Sequence, residues 1–110
     1  MNKRVLLVDD EPDILSSFRR QLRYDFEITT ATSGSEGLRL VDAEKPFAVV
    51  VSDFQMPVMD GVQFLKRVRS KSAATTRVML TGQADLQVAM DAVNEGNLFR
   101  FLTKPCSKET

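Results

Sequence analysis

The 110-residue sequence predicts an α/β domain: a parallel five-stranded sheet with helices on both faces. Short apolar runs alternate with amphipathic segments in the order β-α-β-α-β-α-β-α-β, which implies right-handed crossovers between parallel strands. The third run, Ala48-Val49-Val50-Val51-Ser52, is almost continuously apolar, as a strand covered on both faces requires. The length suits one domain, residues 1–110, and leaves no room for a second.

Each element follows from its residues. Val5-Leu6-Leu7-Val8 is the first strand and ends in Asp9-Asp10. Glu11-Pro12-Asp13 suits a helix start, because proline is tolerated in the first turn and acids face the positive end of the dipole. Ile14, Leu15, Phe18 and Leu22 then recur at helical spacing, opposite Ser16, Ser17, Arg19, Arg20 and Arg23. The β-branched stretch Phe26 to Ala31 reads as a second strand, and Ser33-Gly34-Ser35-Glu36 opens a helix carrying Leu38 and Val41 that stops before Pro46.

Asp53 closes the third strand, and the loop Phe54 to Gly61 behind it is punctuated by Pro57 and Asp60-Gly61. The third helix turns Phe64, Leu65 and Val68 inward. Arg77-Val78-Met79-Leu80 is the fourth strand and ends in Thr81. A fourth helix spans about Asp85 to Glu95, with Gly96-Asn97 as its C-cap. The last strand, Leu98 to Thr103, runs into Lys104. Only Cys106 to Thr110 remain to cover it, so either that strand is partly bare or the chain is cut from something longer.

Composition removes several classes of function. Fifteen basic and fifteen acidic residues give no net charge, so no global field recruits nucleic acid or an anionic membrane. No apolar stretch reaches membrane length, and the N-terminus is too short in apolar residues for a signal peptide. The single cysteine cannot form an internal disulfide, which fits a cytoplasmic location. The absence of histidine excludes any chemistry that needs a histidine base or ligand within the chain. The basic cluster Lys66, Arg67, Arg69 and Lys71 reads as a solvated helix face, and Met56 and Met59 read as loop packing.

The strand ends carry the chemistry. Ligands of a parallel α/β sheet bind beyond the carboxyl ends of its strands, so Asp9, Asp10, Asp53, Thr81 and Lys104 converge on one place. Two like charges ~4 Å apart repel by about 4 kcal/mol at an effective dielectric near 20, so three carboxylates call for a cation. With hard oxygen ligands only, Mg²⁺ fits best, since it takes one or two carboxylates and bridges to phosphate oxygens. A carboxylate can attack phosphorus, while a lysine and a hydroxyl neutralise the transferred oxygens. Singly, these residues are ordinary: a solvated acidic pair, a helix N-cap, a strand threonine, a surface lysine. Together they form the parts list for phosphoryl transfer onto Asp53.

The chain resembles the receiver domain of two-component response regulators. The resemblance rests on Val8-Asp9-Asp10-Glu11, Ser52-Asp53-Phe54-Gln55-Met56-Pro57-Val58-Met59-Asp60-Gly61, Leu80-Thr81-Gly82 and Phe101-Leu102-Thr103-Lys104-Pro105. It implies a flavodoxin-like, doubly wound sheet of strand order 2-1-3-4-5, here with the last helix missing or truncated. It makes Asp53 the phosphoacceptor for a phosphohistidine on a sensor histidine kinase or histidine phosphotransfer protein. Mg²⁺ would be held by Asp10 directly, by Asp9 through water or as a second acidic contact, by Asp53, and by the Gln55 backbone carbonyl. Thr81 matches the switch hydroxyl, Lys104 the phosphoryl-binding lysine and Phe101 the aromatic switch residue.

Further expectations come with that resemblance. Gln55 and Gln83 occupy positions that tune dephosphorylation, and Gly82 leaves open space beside the phosphoryl site. The fourth-helix and fifth-strand face would reach an output domain or effector, or a second copy in a homodimer, without direct binding of nucleic acid or membrane by this domain. Such a receiver is a switch that catalyses only its own phosphorylation and dephosphorylation. Two rivals stand beside it: a Mg²⁺-dependent phosphohydrolase passing through an aspartyl phosphate, and a receiver that no longer responds to phosphate. Gln55 stands where such hydrolases usually place a second aspartate, and the intact Asp10, Asp53, Thr81 and Lys104 argue against the other.

Overall fold

The structure, a computed structural model, describes residues 2–43 and 46–82 together with the backbone course of 100–103. The elements are β1 (Arg4–Val8), α1 (Pro12–Leu22), β2 (Glu27–Ala31), α2 (Gly34–Ala43), β3 (Val49–Asp53), α3 (Gly61–Lys71), β4 (Thr76–Thr81) and β5 (Arg100–Thr103). All strand pairs are parallel, and the sheet order is β2-β1-β3-β4-β5. This is the flavodoxin-like arrangement that the sequence predicts. The expected fourth helix, its cap and everything from Lys104 onward lie outside the described residues.

Alternation of side chains along the strands divides the core into two layers. Leu6 and Val8 of β1, Val50 of β3 and Met79 of β4 point to one face, where Phe64, Leu65 and Val68 of α3 close over them. Leu38, Leu40 and Val41 of α2 pack against that layer. Gly37 lets α2 approach, because a Cβ there would stand 2.8 Å from the Phe64 ring. Val5 and Leu7 point to the opposite face and meet Leu15 of α1, with Phe18, Ile28, Val49 and Val51 around them.

Two sequence expectations shift in detail. Phe26, expected at the head of β2, precedes the strand and is exposed. On α1 only Leu15 is buried; Ile14, Phe18 and Leu22 are half-buried.

The amino ends of the strands are sealed by a polar network around buried Phe47. Thr75 Oγ1 donates to the Phe47 carbonyl at 2.8 Å and lies 2.7 Å from Ser72 Oγ. The Arg4 guanidinium lies 4.6 Å from the Phe47 ring centroid, and Asn2 Nδ2 donates to the Pro46 carbonyl. Arg77, though charged, is only 6% exposed, with Nη1 donating to the Leu65 carbonyl. Burial, and then the nearby Arg69 charge, lower its pKa from the ordinary arginine value.

Candidate functional site

Strand register assembles the site. Val8 stands opposite both Ala31 and Ser52, and Asp53 opposite Leu80, so β1, β3 and β4 finish side by side. Asp9 is the first residue beyond β1, while Asp53 and Thr81 are the last residues of their own strands. One carboxylate oxygen from each of Asp9, Asp10 and Asp53 lies within 4.8 Å of the others.

Burial separates the roles of these acids. Asp9 is 2% exposed and Asp53 8%, whereas Asp10 is exposed. The Asp9 amide donates to the Ala31 carbonyl at 3.1 Å, and Asp9 Oδ1 accepts the Glu11 amide at 2.9 Å. Asp9 therefore also shapes the entry to α1, whose N-cap residue Glu11 has no side-chain cap of its own. Proline at the first helical position removes one amide donor that would otherwise need a partner there.

Thr81 is 1% exposed, and its Oγ1 donates to the adjacent Gly82 carbonyl at 3.2 Å. Ser52 Oγ donates to the Asp53 carbonyl at 3.0 Å, which fixes the backbone beneath the acid. An open cleft of about 760 Å³ lies over these groups. Asp10, Asp53, Gln55 and Thr81 line it, Gly82 borders it, and Phe54, Met56 and Pro57 form an apolar side.

Sequence reasoning missed two acids of this cleft, Glu11 and Asp60. Asp60, which punctuates the loop in the sequence, is the N-cap of α3. Its carboxylate accepts the Gln63 amide at 2.9 Å, and the Gln63 side chain accepts the Asp60 amide. The Asp-x-x-Gln spacing before an apolar helix is the signal that could have found it.

Charged residues among the described lining are all acidic: Asp10, Glu11, Asp53 and Asp60. The donor set fits a hard divalent cation, because carboxylate oxygens at this mutual distance are what Mg²⁺ takes. Asp9, Asp10 and Asp53 lie together at the strand ends, and Asp10, Asp53, Gln55 and Thr81 line one cleft. Phe101 lies on β5 opposite Met79, with only its backbone place described. Lys104, Gln83 and Cys106 lie outside the described residues.

Comparison with known proteins agrees with this geometry. The response regulator receiver domain family matches residues 5–110. The transcriptional regulatory protein GlrR of Escherichia coli strain K12 is 36% identical over 106 residues, covering 96% of this chain and 23% of that protein. The chain spans less than a quarter of the length of that relative and of the hydrogenase transcriptional regulatory protein HoxA of Cupriavidus necator. Among solved structures, adenylate cyclase from Rhodopirellula baltica superposes with a TM-score of 0.91 at 45% identity, covering 99% of this chain and 81% of that one. The signal receiver domain of an HD domain-containing protein from Pseudomonas fluorescens Pf-5 gives a TM-score of 0.87 at 31% identity, covering 99% and 87%. Parallel sheet, converging acids and sequence match lead to one family: the chain belongs to the response regulator receiver domains of two-component systems.

Proposed function

We propose that Asp53 accepts a phosphoryl group from a phosphohistidine on a sensor kinase or phosphotransfer protein, and that the domain then switches an output partner. The observation that carries this reading is the convergence of Asp9, Asp10 and Asp53 at one strand end, with Thr81 buried beside them. An Asp53 oxygen forms the bond to phosphorus as the phosphorus–nitrogen bond of the donor breaks. The imidazole leaves with that electron pair and takes a proton from solvent. The donor histidine belongs to the partner, in keeping with a chain that has none.

Asp9, Asp10, Asp53 and the Gln55 carbonyl would hold Mg²⁺, which supplies charge neutralisation for the phosphoryl oxygens when bound. Ser52 and Asp9 keep Asp53 and the α1 entry in place through their backbone hydrogen bonds. Lys104, next in sequence after Thr103 at the end of β5, supplies the second positive charge. Thr81 exchanges its bond to the Gly82 carbonyl for one to a phosphoryl oxygen, and Phe101 is the aromatic switch residue that relays the change. The switch biases a pre-existing equilibrium between two conformations.

Incubation with acetyl phosphate and Mg²⁺, followed by intact mass, tests the proposal. Stoichiometric addition of one phosphoryl group is expected, lost in Asp53→Asn and with EDTA. Phosphate release sustained over many turnovers would support the phosphohydrolase instead. No addition from acetyl phosphate or from a histidine kinase would sink the phosphoacceptor assignment.

For the output, we favour a cyclic-nucleotide signalling module over a DNA-binding one. Identity to the adenylate cyclase chain from Rhodopirellula baltica is 45%, against 36% to the transcriptional regulator GlrR. The segment Leu80-Thr81-Gly82-Gln83-Ala84-Asp85 resembles receivers joined to such modules, including cyclic-di-GMP phosphodiesterases. The sequence of the full-length gene product decides between the two.

A further inference from the structure

The loop between Asp53 and α3 is tied down at its base and strained at its crest. At the base the Phe54 amide donates to the Leu80 carbonyl, and the Gly61 amide returns to the Phe54 carbonyl, both at 2.9 Å. A Cβ at Gly61 would collide with the Asp53 carbonyl oxygen, so the start of α3 is pressed against the backbone of that acid. At the crest the Met59 amide donates to the Pro57 carbonyl at 2.7 Å across Val58, whose φ is 70°. A three-residue turn with a positive central φ is the rare and strained form, and a β-branched residue suits it badly. Val58 is fully exposed, so its own burial offsets none of that strain. Neighbours must hold the turn.

Met56 and Met59 are those neighbours. Met56 is buried, and Met59 packs against the core layer under α2 and α3. The Met59 thioether occupies space that exists only because residue 34, at the start of α2, has no side chain. A Cβ on Gly34 would stand 2.8 Å from Met59 Sδ, 3.2 Å from Cγ and 3.3 Å from Cβ. The socket is itself firm. Ser33 Oγ accepts the Glu36 amide at 3.1 Å, and the Glu36 carboxylate accepts the Thr32 amide at 2.8 Å.

Given the metal-site reading above, on which this rests, we infer that Met59 seated on Gly34 is a positioning residue for the cation site. It holds the strained turn, and through it Gln55, four residues earlier, beside Asp10 and Asp53. The first turn of α2 contributes to cation affinity without touching the cation.

Calorimetric titration of the whole chain with Mg²⁺ alone, paired with thermal unfolding, tests this. Gly34→Ala and Met59→Ala should each weaken Mg²⁺ binding roughly tenfold, the scale at which supporting residues act on a metal site. The double variant should be no weaker than either single one, because both remove the same contact. Met59→Leu, which keeps an apolar anchor, should retain near-native affinity. Val68→Ala, at the far end of α3, should lower Tm while leaving the Mg²⁺ Kd unchanged. Lowered Tm with native Mg²⁺ affinity in both Gly34→Ala and Met59→Ala would overturn the inference and leave the metal site standing. Failure of the wild-type chain to bind Mg²⁺, or binding that survives in Asp10→Asn, would overturn the metal-site reading itself.

Discussion

The two ends of the sheet use polar residues for opposite purposes. At the amino ends of β3 and β4, polar groups meet partners of opposite character: Thr75 with the Phe47 carbonyl, Asn2 with Pro46, Arg4 over the Phe47 ring. At the carboxyl ends, among the described residues, Asp9, Asp10 and Asp53 share one 4.8 Å group, and Glu11 and Asp60 line the cleft beside them. Hydrogen-bonded polar groups rigidify a fold, whereas clustered like charges act against it. Stability and chemistry are therefore segregated along the strand direction, and each end can be perturbed with a different expected readout.

The largest effect belongs to the amino end. Phe47→Ala empties a buried ring site and should destabilise the domain by about 3–5 kcal/mol, seen as a lowered urea midpoint. The Mg²⁺ affinity of the folded fraction should not change; a parallel loss of affinity would mean the two ends are not independent. A smaller effect is expected from Thr75→Val, which keeps the shape but strands the Phe47 carbonyl. That should cost about 1–2 kcal/mol in the same assay, and a neutral outcome would show that the network contributes packing alone. The smallest effect has the opposite sign. Asp10→Asn relieves repulsion at an exposed position and should raise metal-free stability by less than about 1 kcal/mol. The wild-type chain should gain stability on adding Mg²⁺, as any ligand of the native state confers, and Asp10→Asn should not. A metal-free Asp10→Asn less stable than wild type would refute the view that this end gives up stability for function.

Much of this contrast was open to sequence reasoning, because it depends on period and position. The Val5 to Val8 and Val49 to Val51 runs had to be strands, and parallel strands bring their terminal Asp9 and Asp53 to one edge. The motif order then specified the family and with it the sheet order. Other features depend on contacts between distant segments, which periodicity does not encode. Nothing local marks Arg77 as a residue that β4 buries beneath α3. Phe26 satisfied every local preference for a strand residue, but pairing starts with Glu27, whose amide meets the Lys3 carbonyl. Phe47 and Thr75, 28 residues apart, show their relation only once β3 and β4 pair.

By itself, the sequence determined the α/β alternation, the identity of the acids at the strand ends and the lack of any histidine among its 110 residues. Alternation, strand length and residue chemistry are local properties, so they can be read without coordinates. Tertiary structure alone decided how closely the acids approach and which of them is buried. It also decided that a glycine on α2 makes room for a methionine on the loop after Asp53. Those are matters of distances of a few ångströms between segments far apart in the chain, and only packing sets them.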